Sequence, residues 1–222
     1  MAKVYPQHLP TTSSSSNNSN SINSKETYTI WTKSLICHGN GCTVFDSRGQ
    51  VVYRVDNYGI KKSRQVYLMD LHGNVLFSLL KSCTKKLYIG NGNGCWNGYK
   101  GSPNDDQDTL RTRKKEIIPW FQTRKNSSKK SSLRNCHVIM GCDYESKESS
   151  YRIEETSGAG KAAFVIRDSH GDLVAQVKQK ESSCGGVLLG EDVLSLVVEP
   201  HEDHSLVMAI VIVYGLMTNI IM

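Results

Sequence analysis

The chain has 222 residues, 38% apolar and 22% charged, the composition of a globular protein with enough apolar material to close one sizeable core. Its formal net charge of +6 is unevenly spread: residues 1–134 carry 21 Lys/Arg against 8 Asp/Glu, and residues 135–222 carry 6 against 13. The seven cysteines are an odd number, and the N-terminus MAKVYPQHLPTTSSSS has no apolar signal segment, so a secreted disulfide scaffold is excluded and reduced thiols in an intracellular setting are expected.

The N-terminal residues 1–27 contain the tract TTSSSSNNSNSINS, which cannot bury enough apolar surface to offset the entropy of ordering. A disordered tail is predicted there, followed by a single domain over 28–222. Ala2 stands where N-myristoylation requires glycine, so that lipid anchor is excluded.

From Tyr28 the chain alternates short β-rich runs with Gly, Asn and Asp clusters, as in an all-β meander. YTIWTK from Tyr28 is the first predicted strand. An internal repeat then provides three hairpins: TVFDSRGQVVYRV from Thr43, YLMDLHGNVLFSL from Tyr67 and VIRDSHGDLVAQV from Val165. Asp46, Asp70 and Asp168 are placed to accept backbone hydrogen bonds at the start of a turn, and Gly49, Gly73 and Gly171 to supply the positive φ that ends it. Apolar residues follow each glycine at matching offsets, which points to one curved sheet closed around a common interior. KLYIG from Lys86, IPWFQT from Ile118, CHVIM from Cys136, YRIEE from Tyr151 and VLSLVV from Val193 bring the total to about a dozen strands. Pro119 stands at the start of its run, where a missing N–H does least harm.

Residues 205–222, SLVMAIVIVYGLMTNIIM, hold fourteen apolar residues and no charge. A helix that is apolar all round must be buried, and β-branched residues with Gly215 inside give it little intrinsic propensity, so its surroundings must hold it. Asp203 or Ser205 is placed to cap its start. A membrane tail anchor and a last strand through residues 210–213 remain as alternatives.

Five blocks, GNGCTVFDSRGQVVYRVDNY, VYLMDLHGNVLFSL, WNGYKG, PWFQTRKNSS and GVLLGEDVLSLVVEPHEDHSLVMAIVIV, resemble the plant LURP-one-related family over about residues 28–214. The resemblance implies a mainly β, tubby-like fold: a closed twelve-stranded β-barrel enclosing a hydrophobic C-terminal α-helix, shared with tubby domains and phospholipid scramblases. It also implies no established catalytic activity and a link to plant stress or defence signalling. Members of the family usually turn polar soon after the helix, whereas YGLMTNIIM stays apolar to the last residue.

Catalytic and cofactor patterns are missing. GNGNG at 90–94 lacks the Gly-Lys-Ser/Thr ending of a phosphate loop and reads as a turn; no dinucleotide fingerprint or Gly-x-Ser-x-Gly elbow occurs. Cys37, His38 and Cys42, and Cys136, His137 and Cys142, read as buried thiols rather than zinc knuckles, so no metal or cofactor is expected. The feature that points to binding is a basic stretch with Glu116 as its single acid: Arg111, Arg113, Lys114, Lys115, Arg124, Lys125, Lys129, Lys130 and Arg134, with Trp120 and Phe121 inside it. Such residues suit an anionic lipid surface, with the aromatics at the interface, or a nucleic-acid backbone; alternatively they form a solvated loop while the aromatics pack inward. The expectation is a non-catalytic module that binds anionic phospholipid at the membrane surface without a transmembrane span, cytoplasmic or nuclear or peripheral at the plasma membrane. An unidentified protein partner comes second and nucleic acid third.

Overall fold

The computed structural model describes residues 24–32, 41–56, 65–82, 95–102, 118–125, 135–141, 150–156, 163–182 and 186–221. The predicted tail falls almost wholly outside them, and the strand predicted from Lys86 lies outside them altogether. Among the described residues twelve strands precede one helix: β1 Glu26–Trp31, β2 Cys42–Phe45, β3 Val51–Asp56, β4 Gln65–Asp70, β5 Val75–Lys81, β6 Trp96–Lys100, β7 Phe121–Lys125, β8 Cys136–Met140, β9 Ser150–Glu155, β10 Phe164–Arg167, β11 Leu173–Gln179, β12 Val193–Val198 and α1 His204–Thr218. Each strand pairs antiparallel with its sequence neighbour, and β1 closes onto β12, so the sheet is a closed up-and-down barrel without free edges.

The repeat is realised in three turns of the same form. Asp46 Oδ1 accepts from the backbone N–H of Arg48 and Gln50, Asp70 Oδ1 from His72 and Asn74, and Asp168 Oδ1 from His170 and Asp172, all at 2.8–2.9 Å. Gly49, Gly73 and Gly171 have φ of 78°, 87° and 92°, where a Cβ would be strained. A register shift follows in each hairpin at the matching place, between Val44 and Phe45, Leu68 and Met69, and Ile166 and Arg167. These bulges add twist, which a closed barrel requires.

β6, Trp96-Asn-Gly-Tyr-Lys, is not among the predicted strands. Asn97 and Gly98 are poor strand formers, so propensity concealed it. Its reason is steric: a Cβ on Gly98 would lie 2.2 Å from the Phe121 ring, so only glycine lets β6 run beside that fully buried side chain.

The apolar tail segment is a helix inside the barrel. Every residue from Leu206 to Gly215 is buried, facing inward residues such as Ile30, Leu68, Phe77, Phe121, Ile153 and Leu196. With polar solvent excluded on all sides, low helix propensity is overridden by burial of the apolar side chains. The helix is shorter than the predicted 205–222. Asn219, at φ 56° in the left-handed region, ends it, and the chain folds back so that Ile220 and Ile221 donate backbone hydrogen bonds to the Gly215 carbonyl at 3.0 and 3.2 Å. A Cβ on Gly215 would meet the Ile221 side chain at 2.4 Å, which explains the glycine inside an apolar helix. The tail stays apolar because Ile221 covers the helix end, itself 1% exposed. Among the described residues no helix is long and apolar enough to cross a membrane.

Candidate functional site: two chemically opposite barrel rims

In an antiparallel meander, consecutive connections alternate between the two ends of the barrel. The three Asp/Gly turns, the links between β6 and β7 and between β8 and β9, and the passage from β12 into α1 all lie at one end, the turn rim. The links β1–β2, β3–β4, β5–β6, β7–β8, β9–β10 and β11–β12 lie at the opposite rim, toward which α1 runs.

At the turn rim the helix start is tied down by polar groups. Asp203 caps α1, accepting from the N–H of Ser205 and Leu206 at 3.0 and 3.1 Å and from Ser205 Oγ at 2.6 Å. Burial opposes ionisation of this carboxyl, but those hydrogen bonds, aided by the Lys100 charge, hold it below its usual range. Beside it the Tyr28 hydroxyl lies 2.6 Å from Glu26 Oε2 and 2.8 Å from His204 Nδ1. One hydroxyl has one proton, so when Tyr28 donates to the carboxylate, His204 Nδ1 must carry the hydrogen and donate to Tyr28. Burial first, and then the Glu26 hydrogen bond, push the phenol far above its ordinary value, so it stays protonated. Tyr53 and Tyr151 are raised likewise, by burial and by the carboxylates of this rim. Glu202 is raised by burial and by Asp168, with His204 opposing.

These groups fix structure and supply no reactive nucleophile. The buried Cys42 thiol is pushed up to about 12 by desolvation and then by Asp56, which leaves it unreactive. Cys37, His38 and Cys142 lie outside the described residues. Among the described residues no three His, Cys, Asp or Glu gather as a metal would need.

The nine basic residues of the sequence stretch are divided by β7. Arg111, Arg113, Lys114 and Lys115 lie outside the described residues in the link from β6 to β7, which leaves and re-enters the barrel at the turn rim. Lys129, Lys130 and Arg134 also lie outside them, in the link from β7 to β8, anchored at the opposite rim. Arg124 and Lys125 end β7 at that opposite rim; Arg124 is exposed and its Nε donates to Gln122 Oε1 at 3.0 Å. The two aromatics separate as well. Phe121 is fully buried, while Trp120 is 47% exposed at the turn rim with Lys100 Nζ 4.9 Å above its ring.

Five of the links that leave and re-enter the barrel at the opposite rim, residues 32–41, 57–64, 82–95, 126–135 and 156–163, have in their sequences ten basic residues, Lys33, Lys61, Lys62, Arg64, Lys85, Lys86, Lys129, Lys130, Arg134 and Lys161, and no Asp or Glu; all ten lie outside the described residues. The sixth link there, residues 180–192, is mildly acidic: Lys180 against Glu181, Glu191 and Asp192. The turn-rim connections hold thirteen Asp/Glu against six Lys/Arg. The composition of the links thus differs according to the end at which their flanking strands terminate, and the parity of strand order brings that grouping about.

Comparison with known proteins agrees with this architecture. The LURP-one-related family profile matches residues 26–215. Protein LURP-one-related 4 of Arabidopsis thaliana is 39% identical over 221 residues, covering 99% of this chain and 88% of that protein. Protein LURP-one-related 3 of the same plant is 41% identical over 194 residues, 86% of this chain and 79% of its own. An Arabidopsis thaliana protein of known X-ray structure superposes with a TM-score of 0.54 at 14% identity, covering 86% of this chain and 91% of that one, a likeness of fold. The chain belongs to the LURP-one-related family.

Proposed function

We propose that this protein is a peripheral docking module for anionic phospholipid membranes, phosphoinositides included, acting as an adaptor in plant stress or defence signalling. What supports the reading is that five links whose flanking strands end at one barrel rim carry ten Lys/Arg and no acid in their sequences. Each basic residue held near an anionic bilayer contributes about 1 kcal/mol, so a few engaged at once suffice for reversible attachment. An acidic opposite end orients the barrel by repulsion. Of the sequence candidates, Arg124, Lys125, Lys129, Lys130 and Arg134 belong to the docking end, while Arg111, Arg113, Lys114 and Lys115 are balanced by Asp105, Asp106, Asp108 and Glu116 in their own connection.

Vesicle flotation tests this with two equal charge changes. Lys129→Gln with Lys130→Gln is expected to weaken binding to phosphatidylserine or phosphoinositide vesicles by about ten- to thirtyfold, at about 1 kcal/mol per residue. Lys114→Gln with Lys115→Gln is expected to leave it nearly unchanged. Equal partitioning of wild type and both variants would remove the reading. A second reading, a protein-interaction scaffold, is favoured by exposed Trp120, Leu71 and Ile118 at the acidic turn rim. It predicts partner capture that survives high salt and is lost in Trp120→Ala.

A further inference from the structure

The outer wall of the barrel carries a line of basic side chains that runs between the rims. Arg124 on β7, His137 on β8, Arg152 on β9 and Arg167 on β10 each alternate with buried neighbours and so face outward. Strand register sets them side by side: Arg124 is the partner of His137, His137 of Arg152, and Arg152 of Arg167. Adjacent strands lie about 4.8 Å apart, so the four residues form one row about 14 Å long. Because barrel strands are tilted, the row crosses the wall obliquely, from the end of β7 at the opposite rim to the end of β10 at the turn rim. Folding alone does not account for it. Like charges directly opposite one another on a sheet are destabilising, and Arg152 faces Arg167 in that way. One carboxylate serves both: Glu154 Oε1 lies 3.8 Å from Arg152 Nη1 and Glu154 Oε2 lies 3.7 Å from Arg167 Nε, each longer than a hydrogen bond. Arg167 is further oriented by its Nη1, which donates to the Gly171 carbonyl at 3.0 Å. The Arg152 and Arg167 side chains are 57% and 39% exposed, so a positive excess is offered to the outside from paired strands.

We infer that Arg152 and Arg167, with His137 and Arg124 extending the row, form a binding site for the phosphate group of a phosphorylated segment of a partner protein. A phosphomonoester carries about 1.5 to 2 negative charges at neutral pH and three acceptor oxygens, which two neighbouring guanidinium forks meet through paired hydrogen bonds. The rows on either side select a peptide as the bearer of that phosphate. Gln122, Ile139 and Ser150 flank the line on one side, and Glu154, Val165 and Gln176 on the other. Their amides, hydroxyl and aliphatic groups suit a peptide chain, about four extended residues of which match the length of the row. Neither flank holds an aromatic ring on which nucleic-acid bases could stack. The wall of a closed barrel is convex and Glu154 stands beside the arginines, both of which oppose a flat anionic bilayer. The inference is independent of the membrane-docking reading, which concerns the links of one rim.

The test passes the full chain over an immobilised degenerate peptide library phosphorylated at a fixed serine, and over the same library without phosphate. Retention by the phosphorylated library is expected to be greater by about tenfold or more and to be competed by inorganic phosphate. Arg152→Gln with Arg167→Gln is expected to lower that retention by about tenfold or more. Arg152→Lys with Arg167→Lys keeps the charge but loses the planar fork, and is expected to lower it by a smaller factor. In the wild type, the Nε–Hε resonances of Arg152 and Arg167 should shift on titration with inorganic phosphate, a readout that requires no variant to fold. Binding of the glutamine variant to phosphatidylserine vesicles is expected to match wild type, so this inference and the membrane-docking reading fail separately. Equal retention by the two libraries, or equal retention of wild type and both variants, would overturn the site. If the glutamine variant instead lost binding to those vesicles or to single-stranded DNA while keeping its retention by the phosphorylated library, the row would belong to that other surface and the peptide site would be overturned.

Discussion

The two ends of the barrel solve different problems with the same strands. At the turn rim the chain turns tightly three times through the same Asp and Gly pattern, the helix start is capped by Asp203, and Tyr28, Glu26 and His204 lock β1 to α1. At the opposite rim the connections are mostly longer, rich in Lys and Arg, and one of them exposes Val187, Leu188 and Leu189. The first rim closes a fold around a helix; the second offers chemistry to the outside. On the proposed function, stability and recognition are separated along the barrel axis, and substitutions should divide accordingly.

The largest effect should come from the interior that both ends share. Phe121→Ala removes a fully buried ring packed on Gly98 and 6.0 Å from Phe77, and is expected to cost about 3–5 kcal/mol in urea unfolding. A loss under about 1 kcal/mol would contradict the packing described. Next, Gly215→Ala forces a methyl group into Ile221 and should cost about 1–3 kcal/mol. A combined loss with Ile221→Ala, which removes two of the three clashing atoms, that is smaller than the sum of the single losses would confirm the steric cause, and additive losses would refute it.

At the turn rim, Asp203→Ala should cost about 1 kcal/mol through the lost helix cap. Its pH dependence has a definite sign. The Asp203 carboxyl is lowered in the folded state, so its contribution is complete above the ordinary carboxylate value of 3.8 and is lost as pH falls through the folded value. The gap between wild type and variant in melting experiments should therefore narrow only at strongly acid pH; a gap that closes near neutrality would contradict this origin. Smallest of all, Leu188→Ser at the opposite rim should change stability by no more than about 0.5 kcal/mol, since the side chain is already in solvent. A substantial loss there would break the division of labour between the rims.

Much of the fold was legible in local chemistry. The Asp-x-x-Gly hairpins could be read because each turn is made by its own residues, and the buried helix because an uncharged, all-round apolar segment has one stable place in a β domain. β6 was hidden because its reason lies in Phe121, 23 positions further along the chain. The end of α1 was misjudged because hydrophobicity continues through Ile220 and Ile221, which cover the helix end after a left-handed residue. The binding stretch looked continuous because sequence distance was short; β7 runs through it and assigns its halves to different ends.

The sequence by itself determined the element types, the repeated turns and the presence of an enclosed apolar helix, since each depends on periodicity, backbone preference or solvation within a short segment. Only the tertiary structure decided at which end each connection leaves and re-enters the barrel. Strand parity in a closed meander sends neighbouring connections to opposite ends and brings connections many residues apart to the same one, and no local property of the chain records that sorting.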